Sequence, residues 1–368
     1  MTGRRRGFLW KVAREALGWV RAAGAVDFSA VPPLKVDTSH RPEAPVVYYL
    51  CPDFDEASGG IRTLYRHVDL LNAAGVSAAI LHTREGFRCT WFPHDTRIVY
   101  AAQVTLRASD VLVLPEVYGA NLRKVPRGIR QVIFNQNTYL TFSRATLESA
   151  GERAPYQDNP DLAAVLVVSE DNAEYLRFAF PHLRIERVHQ GLDPTVFHPP
   201  AQPAGRRIAL MPRRYAKDLV QVVQVLRARG SMEGWELVII ENRPPQQAAD
   251  LMRQSAIFLA PSNQEGFGLP PVEAMACGCL AVGFPGHGGR EFLRPEWSMP
   301  AEQGNIIALA QALEQAMRLH TEDPVAFQAL ARRGTDFVRQ EYAPQAERAD
   351  VLRFFQSLLA QAPRETLP

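Results

Sequence analysis

The strongest constraint on this chain is a series of short, uninterrupted apolar runs set between glycine turns and amphipathic stretches. In the first half these are APVVYYLCP, VSAAILH, DVLVLPE (Asp110–Glu116), RQVIFNQN (Arg130–Asn137), AAVLVVSE (Ala163–Glu170) and IERVHQG (Ile185–Gly191). In the second half they are RRIALMPRR, ELVIIEN, SAIFLA (Ser255–Ala260) and CLAVGF. A strand with one wet face alternates apolar and polar residues. A strand buried on both faces does not, and parallel sheets covered by helices are buried in this way. Helical segments fall between the runs. IRTLYRHVDLLNAAG places Ile61, Leu64, Tyr65, Val68 and Leu71 on one face and ends at Gly75, and KDLVQVVQVLRARG ends at Gly230. Strand, glycine loop, helix and strand follow one another in each half, so the pattern predicts α/β architecture with parallel sheets. A length of 368 residues suits two such domains.

Composition narrows the class. With 46% hydrophobic and 22% charged residues the chain is ordinary globular material, and no apolar run approaches the roughly 18 residues of a membrane-spanning helix. Cys51, Cys89, Cys277 and Cys279 are too few and scattered for a disulfide framework, which points to a reducing compartment, the cytoplasm. Cys277 and Cys279 read as small core residues rather than metal ligands, because no second pair matches them. Charge is uneven. Residues 1–21 carry a net +5 in a chain whose total is +2. Phe8, Leu9, Val12, Ala16, Trp19 and Val20 recur there at helical spacing. Two readings stand: a basic amphipathic helix lying peripherally on the inner, anionic face of the cell membrane, or a terminal segment that is packed on the protein itself or partly disordered.

The chemistry concentrates in Pro261–Phe292, PSNQEGFGLPPVEAMACGCLAVGFPGHGGREF. An apolar run enters a Gly-Phe-Gly turn, Pro270 and Pro271 open a helix that closes near Gly278, and a second apolar run follows. Such a corner aims backbone N–H groups and the positive end of a helix dipole at the carboxyl edge of a sheet, where anions bind. Glu265 precedes the corner and Glu273 lies inside the first turn of the helix. N–H donors suit a phosphate, and paired carboxylates suit sugar hydroxyls, so the arrangement fits a nucleotide-sugar.

The string Glu-Gly-Phe-Gly-Leu-Pro-x-x-Glu-Ala-x-Ala-x-Gly resembles the E-x7-E element of the retaining glycosyltransferases of family 4, glycosyl transferases group 1. The first domain, with DFDEASGGIRTLYRH, looks closer to bacterial cell-surface polysaccharide transferases, rhamnosyltransferases among them, than to sucrose or glycogen enzymes. The resemblance implies the GT-B fold: two Rossmann-like domains facing a central cleft, with a C-terminal helix crossing back to the first. It implies that Glu265 faces the donor sugar, that Glu273 holds the ribose hydroxyls, and that Gly266, Phe267, Gly268 and Leu269 line the donor. Relatives neutralise the donor diphosphate with an arginine and a lysine after the first strand of the second domain. Here Arg213, Arg214 and Lys217 take that place, and either arginine fits. The loop from Asn242 to Gln246 corresponds to the base-binding loop.

In the first domain, the loop DEASGG brings Gly59 and Gly60 to a helix start with Arg62 just inside it. The matching loop of relatives lies near the leaving diphosphate and acceptor. Relatives also carry a sugar-contacting histidine where this chain has Asn137 or a neighbour. An amide keeps a hydrogen bond there but gives up proton transfer near neutral pH. Asp53-Phe54-Asp55 imitates the metal-binding Asp-x-Asp of a different transferase fold, but it follows the first strand directly, and no catalytic metal or cofactor is expected. GHGGREF (Gly286–Phe292) looks like the family's Gly-Gly-x-x-Glu loop, although here Arg290 and Glu291 follow Gly289 directly, and His287 is read as a loop residue without chemistry.

The expected domains are an N-terminal extension (1–43), an acceptor domain (44–190), a linker (191–205) rich in proline and glycine, a donor domain (206–343), and a crossover helix and tail (344–368). The expected activity is transfer of a sugar from a nucleoside-diphosphate sugar to a glycan, lipid-linked or small hydroxyl acceptor, with no part for nucleic acid. A nucleotide-sugar epimerase and a silent binding subunit of the same fold remain as alternatives. A dinucleotide-dependent dehydrogenase is disfavoured, because neither domain has Gly-x-Gly-x-x-Gly after its first strand.

Overall fold

The computed structural model describes residues 32–39, 43–142, 155–212 and 216–361. The basic N-terminal segment, Arg213 and Arg214 lie outside the described residues. The chain divides into two compact units, one holding the described residues up to Gly191 together with those from Pro344, the other Leu192–Ala343.

The first unit is built on a seven-stranded, wholly parallel sheet. A separate two-stranded parallel pair joins β1 (Lys35–Asp37) to β5 (Thr105–Arg107). The main sheet contains β2 (Val47–Leu50), β3 (Ala78–His82), β4 (Ile98–Tyr100), β6 (Val111–Pro115), β7 (Arg130–Asn135), β8 (Leu162–Val167) and β9 (Ile185–Arg187). Its order is β4-β3-β2-β6-β7-β8-β9, so the chain winds one way from β2 and then the other. Helix α1 (Gly59–Ala73) begins where the Ser58 side chain accepts a bond from the Ile61 N–H, and it buries Ile61, Leu64, Tyr65, Val68 and Leu71 against the sheet. Helix α2 (Glu170–Ala179) is capped in the same way by Ser169. All five residues of β3 and of β6 are buried, as continuous apolar runs require.

The second unit has a five-stranded parallel sheet in the order β11-β10-β12-β13-β14. Its elements are β10 (Arg207–Leu210), α3 (Ala216–Ala228), β11 (Glu236–Ile239), α4 (Pro245–Arg253), β12 (Ile257–Glu265), α5 (Leu269–Ala276), β13 (Leu280–His287), β14 (Met299–Pro300), α6 (Ile306–Glu322) and α7 (Pro324–Glu341). Its core joins Ile208, Leu210, Ile257, Leu259, Leu280, Val282 and Phe284 of the sheet to Leu219, Val222 and Leu226 of α3 and Leu309, Leu313 and Met317 of α6.

The last helix, α8 (Pro344–Ala360), belongs to the first unit. It buries Val351, Phe354, Phe355 and Leu358, and the Phe355 ring lies 6.0 Å from that of Tyr49. Two carboxylates pin it. Glu347, 1% exposed, is 2.5 Å from Arg66 Nε and 3.4 Å from His67 Nε2, the latter an electrostatic contact rather than an aligned hydrogen bond. Asp350 accepts from His189 at 2.6 Å. Burial pushes both carboxyls up. Arg66 and His67 around Glu347, and His189 with Arg353 around Asp350, more than offset this and hold both below the usual carboxylate range.

The structure corrects several element boundaries. β12 runs on to Glu265 rather than ending near Ala260, because parallel pairing with β13 continues past the apolar run. Helix α5 begins at Leu269, with the prolines second and third, so Glu273 stands at its fifth position, beyond the first turn. The short strands β1, β4, β5 and β14 were not expected; each has two or three residues, too few for a periodicity to register.

Candidate functional site

In open parallel sheets, ligands bind at the carboxyl edge where the winding reverses. In the second unit the reversal lies between β10 and β12, and in the first between β2 and β6. Most of the expected site residues follow one of these four strands.

In the second unit, β12 delivers Glu265, partly exposed, at its tip. Gly268 then takes φ 96° and ψ 70° as the cap of α5, a left-handed conformation that costs a side chain-bearing residue but not glycine. The Phe267 side chain turns inward, 5.0 Å from the Tyr342 ring and 5.3 Å from that of Phe292, so only its backbone is available to a ligand. That anchor fixes a loop whose neighbours are glycines. Glu273 is 6% exposed on α5. A buried carboxylate is costly unless paired, and here it sits one turn behind a helix N-terminus whose dipole favours negative charge. The helix end is a weaker anion cradle than the sequence suggested. Pro270 and Pro271 carry no N–H, which removes two of the donors such a terminus normally offers, while the dipole remains. Lys217, exposed on the first turn of α3, follows β10 on the other side of the reversal. The Asn242–Gln246 segment follows β11, and the structure corrects its reading as a loop throughout, since Pro245 and Gln246 already open α4; Asn242 has φ 39°.

The structure also promotes a residue that the sequence reading set aside. His287 ends β13 in register with Glu265. Its φ of 72° and ψ of −72° are strained for a residue with a side chain, and such outliers cluster at functional sites. Arg290 Nη2 lies 2.8 Å from His287 Nδ1. A guanidinium only donates, so Nδ1 accepts and the ring hydrogen is on Nε2. The only signal in the sequence was a histidine inside a glycine run.

In the first unit Gly59, Gly60 and Arg62 of α1 follow β2 and buried Glu116 follows β6, the two strands that flank the reversal. Gln136, just after β7, donates to the Gly60 carbonyl at 3.2 Å, and a Cβ on Gly60 would stand only 3.2 Å from its Nε2. Asn137 follows β7, one strand beyond the reversal, and its Oδ1 accepts from the Tyr139 N–H at 3.1 Å. Asn135 is turned inward to Thr141 and Tyr156. Asp53 accepts from His82 Nδ1 (2.8 Å), Thr83 N (3.2 Å) and Arg84 N (2.8 Å). Asp55 accepts from both the N–H and the hydroxyl of Thr90. Both carboxylates of the Asp-x-Asp therefore tether loops. Among the described residues no group of three or more His, Cys, Asp or Glu side chains is placed to hold a metal ion.

All four cysteines are free and buried. Burial pushes Cys277 up to about 12 and Cys89 up to about 11. Among the described residues, no helix is long and apolar enough to cross a membrane.

The Glycosyl transferases group 1 family matches residues 231–333, which include the Glu265–Glu273 corner. The lipopolysaccharide core biosynthesis mannosyltransferase LpcC of Rhizobium leguminosarum bv. viciae is 29% identical over 109 residues, 29% of this chain. The match spans 30% of that relative's length. Among solved structures, sucrose-phosphate synthase from Thermosynechococcus elongatus superposes with a TM-score of 0.65 at 16% identity, covering 86% of this chain and 100% of that one. Anabaena HepE, in complex with UDP and glucose, superposes with a TM-score of 0.57 at 14% identity, covering 85% of this chain and all of that one. The pneumococcal O-GlcNAc transferase GtfA, in complex with UDP and GlcNAc, gives 0.58 at 9% identity, covering 86% and 98%. The chain therefore has the α/β GT-B fold with two Rossmann-like units, and residues 231–333 of its second half match the Glycosyl transferases group 1 family.

Proposed function

We propose that this chain is a retaining glycosyltransferase of family 4 that moves a sugar from a nucleoside-diphosphate sugar to a hydroxyl acceptor in cell-surface glycan synthesis. The observation that carries the reading is the strand–glycine–helix corner at the second unit's reversal point, with Glu265 at the strand tip and Glu273 buried on the helix. In this reading Glu273 accepts the ribose hydroxyls and Glu265 faces the sugar. Lys217, with Arg213 or Arg214, and the α5 dipole meet the charge that builds on the leaving diphosphate, and fixed charges stabilise it without reorganising. No metal is needed. Attack takes place on the face from which the diphosphate leaves, and no protein nucleophile is assigned. Gly59, Gly60 and Arg62 serve the leaving diphosphate and acceptor, and Asn137 offers its amide to the donor sugar. The UDP and sugar bound by two structural relatives, and the mannosyl transfer of the curated one, support a sugar-nucleotide donor. The basic residues 1–24 provide peripheral contact with the cytoplasmic face of the membrane.

A thermal-shift screen of nucleoside diphosphates and their sugars tests the donor, because a bound ligand raises the melting temperature by mass action. Glu273→Ala is expected to cost the best nucleoside diphosphate about 2–4 kcal/mol of affinity in calorimetry, since buried donors lose a charged partner. Equal affinity in a folded variant rejects the assignment.

A further inference from the structure

Pairing between β12 and β13 is regular from Ile257↔Leu280 to Ser262↔Pro285 and resumes at Glu265↔His287. Between these two pairs β12 spends two residues, Asn263 and Gln264, where β13 spends only Gly286. This is a bulge immediately before the carboxylate that the donor reading depends on. Bulges re-aim the strand that follows them, and they interrupt the hydrogen-bond ladder where they occur. The backbone here is contorted to match: Gln264 has φ 47°, Gly286 φ 61° and His287 φ 72°. A Cβ on Gly286 would lie 2.6 Å from Ser262 Cβ, so the two strands touch closely at the irregular step.

The interrupted ladder leaves the Ser262 carbonyl and the Gly286 N–H to be satisfied by other means. One side chain satisfies both. Gln303 Nε2 donates to the Ser262 carbonyl at 2.9 Å, and Gln303 Oε1 accepts from the Gly286 N–H at 3.0 Å. A longer contact of 3.5 Å runs from Nε2 to Asn263 Oδ1. A primary amide carries one acceptor and a donor in the geometry of a peptide group, so Gln303 replaces the missing rung. Its own position is secured from the other side. The Ala301 N–H bonds to the Gly283 carbonyl at 2.8 Å, and Asn305 caps α6 through the Ala308 N–H at 3.0 Å. Gln303 itself is exposed. Water competes for its bonds, and they add little to global stability. Their effect is local: they select one arrangement of the bulge and, with it, the direction in which Glu265 and His287 leave the sheet.

We propose that Gln303 is a positioning residue of the donor site, acting through the β12 bulge on Glu265. The proposal rests on the reading of the second unit as the donor-binding unit. The full chain is titrated by calorimetry with UDP, UDP-glucose, GDP and GDP-mannose, and donor hydrolysis is followed with the tighter sugar nucleotide. Gln303→Ala is expected to leave the nucleoside diphosphate Kd within about two-fold and the melting temperature within about 2 °C. The extra affinity contributed by the sugar, and kcat for hydrolysis, are expected to fall about ten-fold, with no further loss when Gln303→Ala is added to Glu265→Gln. Gln303→Glu keeps the acceptor for Gly286 and loses the donor to Ser262, and is expected to fall between wild type and Gln303→Ala. A Gln303→Ala protein equal to wild type overturns the proposal and leaves the donor site standing. Equal losses for nucleotide and sugar nucleotide with a lower melting temperature, or additive losses in the double variant, also overturn it by reducing Gln303 to a structural role. A wild-type chain that binds none of these four ligands and no other nucleoside diphosphate in the thermal-shift screen removes the donor reading and this proposal together.

Discussion

The two units solve the same topological problem and spend their polar residues differently. Each reverses its winding next to its first strand, and each places a glycine turn and a helix start at that point. In the first unit the polar groups nearby are largely consumed by the fold. Asp53 and Asp55 tie down loops, Gln136 bonds Gly60, and Asn135 is locked inside. In the second unit the backbone is strained at Gln264 and His287, two prolines thin the helix donors, and a buried carboxylate stands behind them. The first corner is built to be held. The second carries strain of the kind that persists where surrounding structure over-determines a site. The same strand–loop–helix device is thus tied down by side-chain bonds in one place and strained in the other, and in the proposed reading the strained corner is the donor edge.

That contrast is open to attack at four points. Removing a carboxylate from the scaffold should cost folding. Glu347→Ala leaves Arg66 and His67 around an emptied site and is expected to destabilise the chain by about 3 kcal/mol or more in denaturant unfolding. The linked pH effect has a definite sign. A carboxyl held below its unfolded value contributes stability above about pH 4 and loses it as pH falls through the folded value. Wild type should therefore weaken on acidification from about pH 5 downward, and Glu347→Ala should weaken less steeply. Parallel curves for the two proteins contradict the pinning of α8 by Glu347.

Removing a carboxylate from the binding edge should cost chemistry instead. Glu265→Gln is expected to lower kcat by about 10²-fold or more, equivalent to about 2.7 kcal/mol of barrier, with an unchanged melting temperature. A large stability loss with turnover intact would invert the assignment of roles.

A smaller effect is expected at Asp53. Its three hydrogen bonds tether a loop, so Asp53→Ala should cost about 1–3 kcal/mol of stability, and transfer by the wild type should survive excess chelator. Activity lost in chelator and restored by manganese would return Asp53 and Asp55 to the role of metal ligands.

The smallest effect is expected at the thiols. Cys277 and Cys89 are buried and pushed up to about 12 and about 11, so at pH 8 almost no thiolate is present for alkylation. Iodoacetamide should leave the native chain unlabelled and fully active. Rapid labelling of Cys277 would show that the helix bearing Glu273 opens readily.

The sequence by itself determined the parallel α/β architecture, the position of the E-x7-E corner and the faces of the main helices. These properties are local. An uninterrupted apolar run has to be buried on both sides, a proline pair starts a helix, and glycine ends one. Ile61, Leu64, Tyr65, Val68 and Leu71 are buried because their spacing leaves them no alternative. Only the tertiary structure decided which polar residues are spent on the fold. Asp53 and Asp55 look like ligands in one dimension, and the strands and loops that use them up lie some 30 residues away. Phe267 lies inside the motif, yet packs on Tyr342 from the far end of the unit. Gln303 carried no recognisable signal, and His287 only its place inside a glycine run. Their significance comes from a two-against-one mismatch between neighbouring strands, and strand register is a property of the folded sheet that neither strand's sequence contains.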